Sequence, residues 1–251
     1  MEKISTVKNF VSGMEDLIPA VNDSPYKRIL AVGDVHGCFD KLMSLWDKLS
    51  VDDYTLVIFL GDYVDRGDQV AETLKWILEQ SKKENFIFLR GNHEQMMLDT
   101  FHKRMNKLTW FFNGGRTTIS GLSELKSEDE TFIEQVLTFA ENLPLYHTLT
   151  IGGRKYVFVH AGIEVGIPLE EQDEDFLLWA REKFFEHYDE EAVVISGHSP
   201  VQAFKEFGVA DNPRPVRLPG RNVVMIDTGS FIKGNGKISS IDILTYEYWQ
   251  S

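Results

Sequence analysis

Short apolar runs rich in Val, Ile and Phe alternate along the chain with longer stretches whose apolar positions recur at helical spacing. Continuous apolar runs are typical of strands covered on both faces, and their alternation with helices is typical of an α/β fold. The predicted strands are residues 28–32, 55–60, 85–89, 155–159, 192–195 and 222–226, with a late hairpin around 236–244. The predicted helices are residues 39–49, 70–80, 93–101, 128–141 and 173–188. Residues 208–221 contain three prolines and are predicted to form a long loop.

The composition is that of a folded water-soluble protein, with 43% hydrophobic and 26% charged residues. No apolar stretch approaches the roughly 18 residues that a membrane span needs. The single cysteine, Cys38, cannot form an internal disulfide, which is typical of proteins in a reducing compartment. We therefore expect one domain over residues 1–251, located in the cytoplasm, with neither a membrane nor a disulfide-linked partner.

The net charge of −13 disfavours binding to a nucleic-acid polymer, because both surfaces are negative. An anionic small molecule or peptide could be a substrate only where cationic side chains or metal ions reverse the local field. The sequence contains candidate cationic side chains and candidate metal ligands.

Asp, Asn or His stands beside glycine directly after five of the predicted strands. The five motifs are GDVHG (33–37), GDYVDRG (61–67), RGNHE (90–94), HAG (160–162) and GH (197–198). Each motif alone is more typical of a turn or a helix cap. Together they predict a ligand-binding crevice, because the carboxyl ends of parallel strands meet at one edge of a sheet. Carboxylate, amide and imidazole ligands without thiolate suit Mn²⁺, Fe or Zn²⁺, and the set is large enough for two ions.

In this order the five motifs resemble the phosphoprotein phosphatase branch of the calcineurin-like metallophosphoesterases. Asp227-Thr228-Gly229 extends the resemblance toward the C-terminus, and Asn113-Gly114-Gly115 with Thr117-Thr118 is similar to the shorter bacterial and bacteriophage members. Those members include serine/threonine protein phosphatases and diadenosine tetraphosphatases. The resemblance implies an α/β fold in which a two-sheet β-sandwich is flanked by helices, with a dimetal site at the C-terminal ends of the strands.

The resemblance also implies a role for each motif residue. The first metal ion would be held by Asp34, His36 and Asp62, and the second by Asp62, Asn92, His160 and His198. We expect two divalent ions. Mn²⁺ is the expected metal at both positions, with Fe or Zn²⁺ as alternatives. A hydroxide that bridges the ions would be the nucleophile, and His93, held by Asp65, would protonate the leaving alkoxide. Cys38 is interpreted as a packing residue.

Three arginines are expected to clamp the phosphoryl group: Arg66, Arg90 and Arg181. A guanidinium suits this task because its planar fork binds two phosphate oxygens at once. For Arg181, an ion pair with an acid on the same helix face is an alternative. The loop arginines Arg214, Arg217 and Arg221 are interpreted as solvated loop charge, with a basic lid as the alternative.

The motifs leave three functions open. The first is a metal-dependent serine/threonine protein phosphatase, and the second is a hydrolase of diadenosine tetraphosphate or other dinucleoside polyphosphates. The third, a metal-binding scaffold without turnover, is disfavoured because His93 and Asp65 are both present. Other phosphoesters are a further alternative. Specificity is expected from residues 113–118, the 208–221 loop, and Phe111 and Phe112. These two aromatics are interpreted as core packing, with stacking on a base as the alternative.

Overall fold

The apolar runs predicted as strands are buried on both faces, and they assemble into two β-sheets. The computed structural model describes residues 8–251, apart from the side chains of residues 182 and 183, so the first seven residues of the domain expected over 1–251 lie outside it. The strands are β1 (Asn9–Phe10), β2 (Arg28–Val32), β3 (Thr55–Phe59), β4 (Phe86–Phe88), β5 (Tyr146–Ile151), β6 (Arg154–Val159), β7 (Val193–Ser196), β8 (Val216–Arg217), β9 (Val223–Met225), β10 (Ser239–Asp242) and β11 (Glu247–Gln250).

Each sheet is mixed and contains three adjacent parallel strands. The order is β1-β11-β10-β2-β3-β4 in the first sheet and β5-β6-β7-β9-β8 in the second. In the first sheet β2, β3 and β4 are parallel, with Leu30 opposite Val57 and Val57 opposite Phe86. In the second sheet β6, β7 and β9 are parallel. The two sheets pack through one apolar core, which includes Ile58 and Phe158.

Helices cover the outer faces of both sheets. They are α1 (Phe39–Leu49), α2 (Val70–Gln80), α3 (Asn92–Phe101), α4 (Lys107–Phe112), α5 (Gly115–Glu128), α6 (Phe132–Asn142), α7 (Glu174–Trp179) and α8 (Glu182–His187). Leu42, Leu45 and Leu49 of α1 are buried, and all three belong to the core on the outer face of the first sheet. The two-sheet sandwich flanked by helices confirms the expected fold class. None of the helices formed by residues 8–251 combines the length and apolar character that crossing a bilayer requires.

Several predicted elements differ from the observed ones. The helix predicted over 173–188 is divided into α7 and α8, because Ala180 and Arg181 leave the helical region of backbone space. The late hairpin lies further along the chain than predicted, since its strands are β10 and β11. Helices α4 and α5 and strand β5 were not predicted. Strand β5 pairs with β6 across Gly152 and Gly153, which both have positive φ.

The 208–221 segment contributes strand β8 to the edge of the second sheet. The guanidinium of Arg217 forms an ion pair with Asp16 and donates to the carbonyl of Gly13. Arg221 donates to the carbonyls of Tyr188, at 2.9 Å, and Glu186, at 2.7 Å. Both guanidinium groups therefore stabilise this edge. This contradicts the interpretation of Arg217 and Arg221 as solvated loop charge, and the basic-lid alternative as well.

Candidate active site

The six parallel strands end at the same side of the sandwich, and each is succeeded by a buried polar residue. The first sheet contributes Asp34 and His36 after β2, Asp62 and Asp65 after β3, and Asn92 and His93 after β4; the second contributes His160 after β6, His198 after β7 and Asp227 after β9. All nine are at most 5% exposed. The five predicted motifs thus lie together, and Asp227 adds a sixth strand end that sequence reasoning did not include among the site residues.

Several of these residues have a backbone conformation that L-amino acids rarely adopt. His36, Asp62, Asp65, Arg66 and His198 all have φ between +49° and +70°. A non-glycine residue in this region costs of order 1–3 kcal/mol, and such residues cluster at functional sites because the surrounding structure holds them there. The backbone strain after these strands is typical of a site whose side chains are already fixed in position before a ligand binds.

A buried carboxylate, Glu94, fixes the loop that carries Asp62 and Asp65. Its two oxygens accept four backbone N–H groups: those of Asp62 (2.8 Å), Tyr63 (2.8 Å), Val64 (3.2 Å) and Gly91 (3.0 Å). Burial raises the pKa of Glu94 to about 7, while the N–H groups oppose that shift. Sequence reasoning missed this role of Glu94; the available signal was an acid in the first turn of a helix that directly succeeds a strand.

Asp34, His36 and Asp62 form the first cluster of metal-ligand types. His36 Nδ1 donates to the carbonyl of Val64 at 2.9 Å, so Nε2 is the acceptor that faces the cluster. That atom lies 3.4 Å from Asp62 Oδ2 and 4.0 Å from Asp34 Oδ2. Burial raises the pKa of Asp34 and of Asp62 and lowers the pKa of His36. The interior thus favours an uncharged imidazole, which is the form that binds a metal ion.

Asn92, His160 and His198 form the second cluster, on the other side of Asp62. His160 Nδ1 donates to the carbonyl of Leu60 at 2.9 Å, which leaves Nε2 as an acceptor. This Nε2 lies 2.8 Å from Asn92 Oδ1, 3.5 Å from Asp62 Oδ1 and 3.2 Å from His198 Nδ1. Burial lowers the pKa of His160 to about 3. His198 Nε2 is buried and has no hydrogen-bond partner in the described part of the chain.

The donor set fits divalent metal ions. Neutral His160 Nε2 and Asn92 Oδ1 are both acceptors, and a contact of 2.8 Å between acceptors is unfavourable unless a cation or a donor lies between them. The ligand atoms of Asp62, His160 and His198 lie within 4.8 Å of one another, as do those of His36, Asp62 and His93. Asp62 belongs to both groups, with Oδ2 toward His36 and Oδ1 toward His160. These residues could therefore hold two ions that share one carboxylate.

His93 is paired with Asp65. His93 Nδ1 lies 2.6 Å from Asp65 Oδ2, and His93 Nε2 lies 3.9 Å from Asp62 Oδ2. Asp65 also accepts from Trp110 Nε1 at 2.8 Å and from the hydroxyl of Thr118. Burial raises the pKa of Asp65 to about 7 and lowers the pKa of His93, because the interior penalises both charged forms. Because the two groups are in direct contact, they titrate as a pair. Sequence reasoning missed Trp110 and considered Thr118 only for specificity.

Arg66 lies over the first cluster. Its Nη1 is 2.9 Å from His36 Nε2, and its guanidinium carbon lies 4.2 Å from the centroid of the Phe231 ring. The backbone N–H of Arg66 donates to the carbonyl of Gly114 at 3.3 Å. A side chain at Gly114 would collide with Arg66, since a Cβ there would lie 2.7 Å from Arg66 Cγ. The turn between α4 and α5 thus supports Arg66.

Arg181 lies beside the second cluster, whereas Arg90 is bound elsewhere. Arg181 Nη1 donates to Ser199 Oγ at 2.9 Å. Burial lowers the pKa of both His160 and His198, and the positive charge of Arg181 lowers it further. The guanidinium of Arg90 instead bonds Gln95, Glu174 and the carbonyls of Glu141 and Leu143, at 2.7–3.3 Å. Within the described part of the chain, Arg90 therefore joins α3 to α6 and α7, and the structure does not bring it into the expected clamp.

The chain is similar to known phosphoesterases over most of its length. Residues 27–229 match the family described as calcineurin-like phosphoesterase. A serine/threonine-protein phosphatase 2 of Salmonella typhimurium is 30% identical over 221 residues, which are 86% of this chain and 93% of that protein. A bis(5'-nucleosyl)-tetraphosphatase of Halalkalibacterium halodurans is 28% identical over 81% of this chain and 85% of that protein. A solved structure provisionally named a diadenosine tetraphosphatase has a TM-score of 0.63 at 16% identity, over 92% of this chain and 97% of the other.

Proposed function

The chain belongs to the calcineurin-like phosphoesterase family and is a phosphatase, and on that premise we propose that it acts on phosphoserine and phosphothreonine in proteins. Its relatives include a serine/threonine protein phosphatase, whose substrate class is the one proposed here. The observation that carries the proposal is the pair of His93 and Asp65, which is held by two further side chains beside the metal-ligand clusters.

In the proposed site, Asp34, His36 and Asp62 hold one divalent cation, and Asp62, Asn92, His160 and His198 hold the other. Mn²⁺ is the proposed metal, because the ligands are oxygen and imidazole nitrogen without thiolate. When bound, two divalent cations neutralise phosphoryl charge and lower the pKa of a water molecule enough for it to attack phosphorus. The neutral state of His36 and His160, which burial favours, keeps their lone pairs free for this binding.

The remaining roles belong to side chains of this chain. Arg66 and Arg181 lie at the first and second cluster, so together they can bind the phosphoryl oxygens and orient the ester for in-line attack. Ser199 holds Arg181, while Phe231 stacks on Arg66. In this step His93 starts as an imidazolium, donates the proton on Nε2 to the oxygen that leaves with the serine or threonine side chain, and ends as a neutral imidazole. Asp65 accepts from Nδ1 and keeps the imidazole in the orientation that this transfer needs.

The general acid favours an ester of an alcohol over an anhydride. A serine alkoxide is a strong base and leaves slowly without a proton, whereas a nucleotide phosphate is a weak base and leaves readily. Burying Asp65 and surrounding it with His93, Trp110 and Thr118 stabilises the arrangement that supplies this proton. Such a device contributes most when the leaving group is poor.

The second candidate is hydrolysis of a dinucleoside polyphosphate. It is favoured by two relatives named bis(5'-nucleosyl)-tetraphosphatase, whose matches to this chain span 85% and 86% of their own length. The same clusters and arginines would bind the phosphoryl group in that reaction. Residues outside the clusters must therefore decide between the two substrates.

Initial rates in Mn²⁺ on phosphoserine and phosphothreonine peptides, compared with diadenosine tetraphosphate as kcat/KM, test the proposal. We expect a preference of about a hundredfold or more for the peptides, since only their alkoxide needs the full effect of the general acid. The reverse preference would replace the proposal with the second candidate. Bound metal that supports turnover of neither substrate would contradict both.

A further inference from the structure

Residues 100–123, which we call the basic segment, differ in charge from the rest of the chain. They include Lys103, Arg104, Lys107 and Arg116 and no Asp or Glu, in a chain whose net charge is −13. The segment runs from the end of α3 through α4 and most of α5. A local excess of positive charge on an acidic protein attracts anionic groups to this part of the surface.

The basic segment lies next to the proposed catalytic groups. Trp110 donates to Asp65 at 2.8 Å, and the carbonyl of Gly114 accepts the backbone N–H of Arg66 at 3.3 Å. Phe112 and Arg116 are each two residues from Gly114, so their Cα atoms lie within about 8 Å of that contact. An anion attracted to the segment is therefore brought to the side of the site where Arg66 lies.

The surface of the segment combines apolar and cationic side chains. Leu108 and Phe112, one helical turn apart on α4, are 59% and 88% exposed, so the interpretation of Phe112 as a core residue is wrong. Lys107 Nζ and Arg116 Cζ lie 5.0 and 5.7 Å from the centroid of the Phe111 ring, so the two cations flank one aromatic side chain. Neither forms an ion pair with the side chains that the structure describes, whereas Arg104 is paired with Asp99 at 2.7 Å. Lys107 and Arg116 are thus available to a ligand.

We propose that the basic segment recognises phosphopeptides in which residues next to the phosphorylated serine or threonine are acidic and apolar. This inference rests on the proposed function and names the substrate class of the same site. Lys107 and Arg116 would pair with the acidic residues, and Leu108 and Phe112 would contact the apolar one. Leu108 beside Phe112 forms an aliphatic and aromatic strip, which suits a peptide side chain better than it suits a base, because a base stacks on flat faces.

The test compares two phosphoserine peptides that differ only at three flanking positions. In the first peptide these positions hold two acidic residues and one Leu, and in the second peptide all three hold Ala. For the wild-type protein with Mn²⁺ we expect kcat/KM for the acidic peptide to be about threefold to tenfold higher, and to fall as salt rises. The double variant Lys107→Glu/Arg116→Glu should lose or reverse this ratio. Rates of every variant are divided by its own rate on p-nitrophenyl phosphate, which has no flanking residues.

Lys155→Glu is the matched control, since Lys155 is an exposed lysine on β6, outside the basic segment. It should keep both the basal rate and the wild-type ratio. Lys107→Gln/Arg116→Gln replaces the double variant if charge reversal lowers the melting temperature. Peptide turnover without an acidic preference, or with one that the variants retain, would overturn this inference and leave the proposed function standing. Turnover of diadenosine tetraphosphate but of neither peptide would overturn both, and a loss of that turnover in the double variant would assign the segment to polyphosphate.

Discussion

The indole Nε1 of Trp110 donates to Asp65 Oδ2 at 2.8 Å, and the same oxygen lies 2.6 Å from Nδ1 of His93. Trp110 is fully buried and stands 45 residues after Asp65 in the chain. A helix of the flanking layer thus fixes the carboxylate that orients the proposed general acid. The position of His93 depends on the packing of α4 as well as on its own motif.

Trp110→Phe is expected to lower kcat on a phosphoserine peptide by about threefold to tenfold, the effect of one neutral hydrogen bond. The phenyl ring fills most of the space of the indole, so the fold should persist with some loss of stability, and Asp65 loses a donor. The loss should be smaller on p-nitrophenyl phosphate, whose leaving group needs less help from an acid. Trp46→Phe is the control, because Trp46 is a half-buried indole on α1 that packs on the outer face of the first sheet, away from the site. Equal losses on both substrates would show that Trp110 acts on stability alone.

His93→Ala is expected to lower turnover of alkyl phosphates by about 10²–10⁴-fold, the usual contribution of a general acid. Metal content should stay at the wild-type value, since His93 Nδ1 is bound to Asp65 and the clusters retain their other residues. Elemental analysis and initial rates on the same preparation check both statements. A metal-replete variant with unchanged turnover would remove His93 from the proposed mechanism.

Asp62→Asn should instead lose metal, because Asp62 is the residue that the two clusters share. The substitution keeps the shape of the side chain but removes its charge. We expect less than one ion per chain after dialysis, and a smaller rise in melting temperature on adding Mn²⁺ than the wild type shows, since a ligand that binds only the folded state stabilises it. Asp242→Asn, at a carboxylate that accepts from Ile29 and Leu244 outside the site, is the matched control. Two ions retained by Asp62→Asn would contradict the shared ligand.

Glu94→Gln tests whether the buried carboxylate positions the 61–67 loop. The amide can accept at one oxygen only, so two of the four backbone N–H groups lose their acceptor. Each buried N–H group without an acceptor costs about 1–3 kcal/mol. Because the loop can relax in part, we expect the free energy of unfolding to fall by about 2–4 kcal/mol for the two groups. Denaturant unfolding measures this change, and Glu84→Gln on the exposed surface is the control. A change below about 0.5 kcal/mol, roughly that of a neutral surface substitution, would show that the loop holds its shape without Glu94.

Local patterns predicted the parallel strands and the motifs at their ends, because a buried strand and its glycine turn are set by neighbouring residues. The 33–37, 61–67 and 90–94 motifs all lie at strand ends in the fold. The helices α4 and α5 could not be predicted in this way, since Asn113-Gly114-Gly115 is typical of a loop. Their contribution depends on contacts across the chain, such as Trp110 and Thr118 with Asp65.

The break between α7 and α8 has a similar origin. The apolar spacing of residues 173–188 predicts one helix, but the backbone N–H of Ala161 donates to the carbonyl of Leu177 at 3.0 Å, and Arg181 reaches Ser199. These contacts fix the chain in a non-helical turn at Ala180 and Arg181. A periodicity cannot show such contacts, because they come from residues distant in the sequence. The roles of the individual site residues likewise stay predictions until they are tested.

Arg66 and Arg90 come from neighbouring motifs, but the structure predicts that removal of Arg66 lowers activity and that removal of Arg90 lowers stability. Arg66→Ala should lower kcat/KM by about ten- to a hundredfold and weaken inhibition by inorganic phosphate, because charge-assisted hydrogen bonds to the phosphoryl group are lost. Arg90→Ala should instead lower the free energy of unfolding by about 1–3 kcal/mol, since the carbonyls of Glu141 and Leu143 lose their donor. Phosphate inhibition and denaturant unfolding, measured on both variants, separate the two roles. If Arg90→Ala weakens phosphate inhibition as much as Arg66→Ala does, Arg90 belongs to the clamp after all, and its guanidinium must leave Glu174 when phosphate binds.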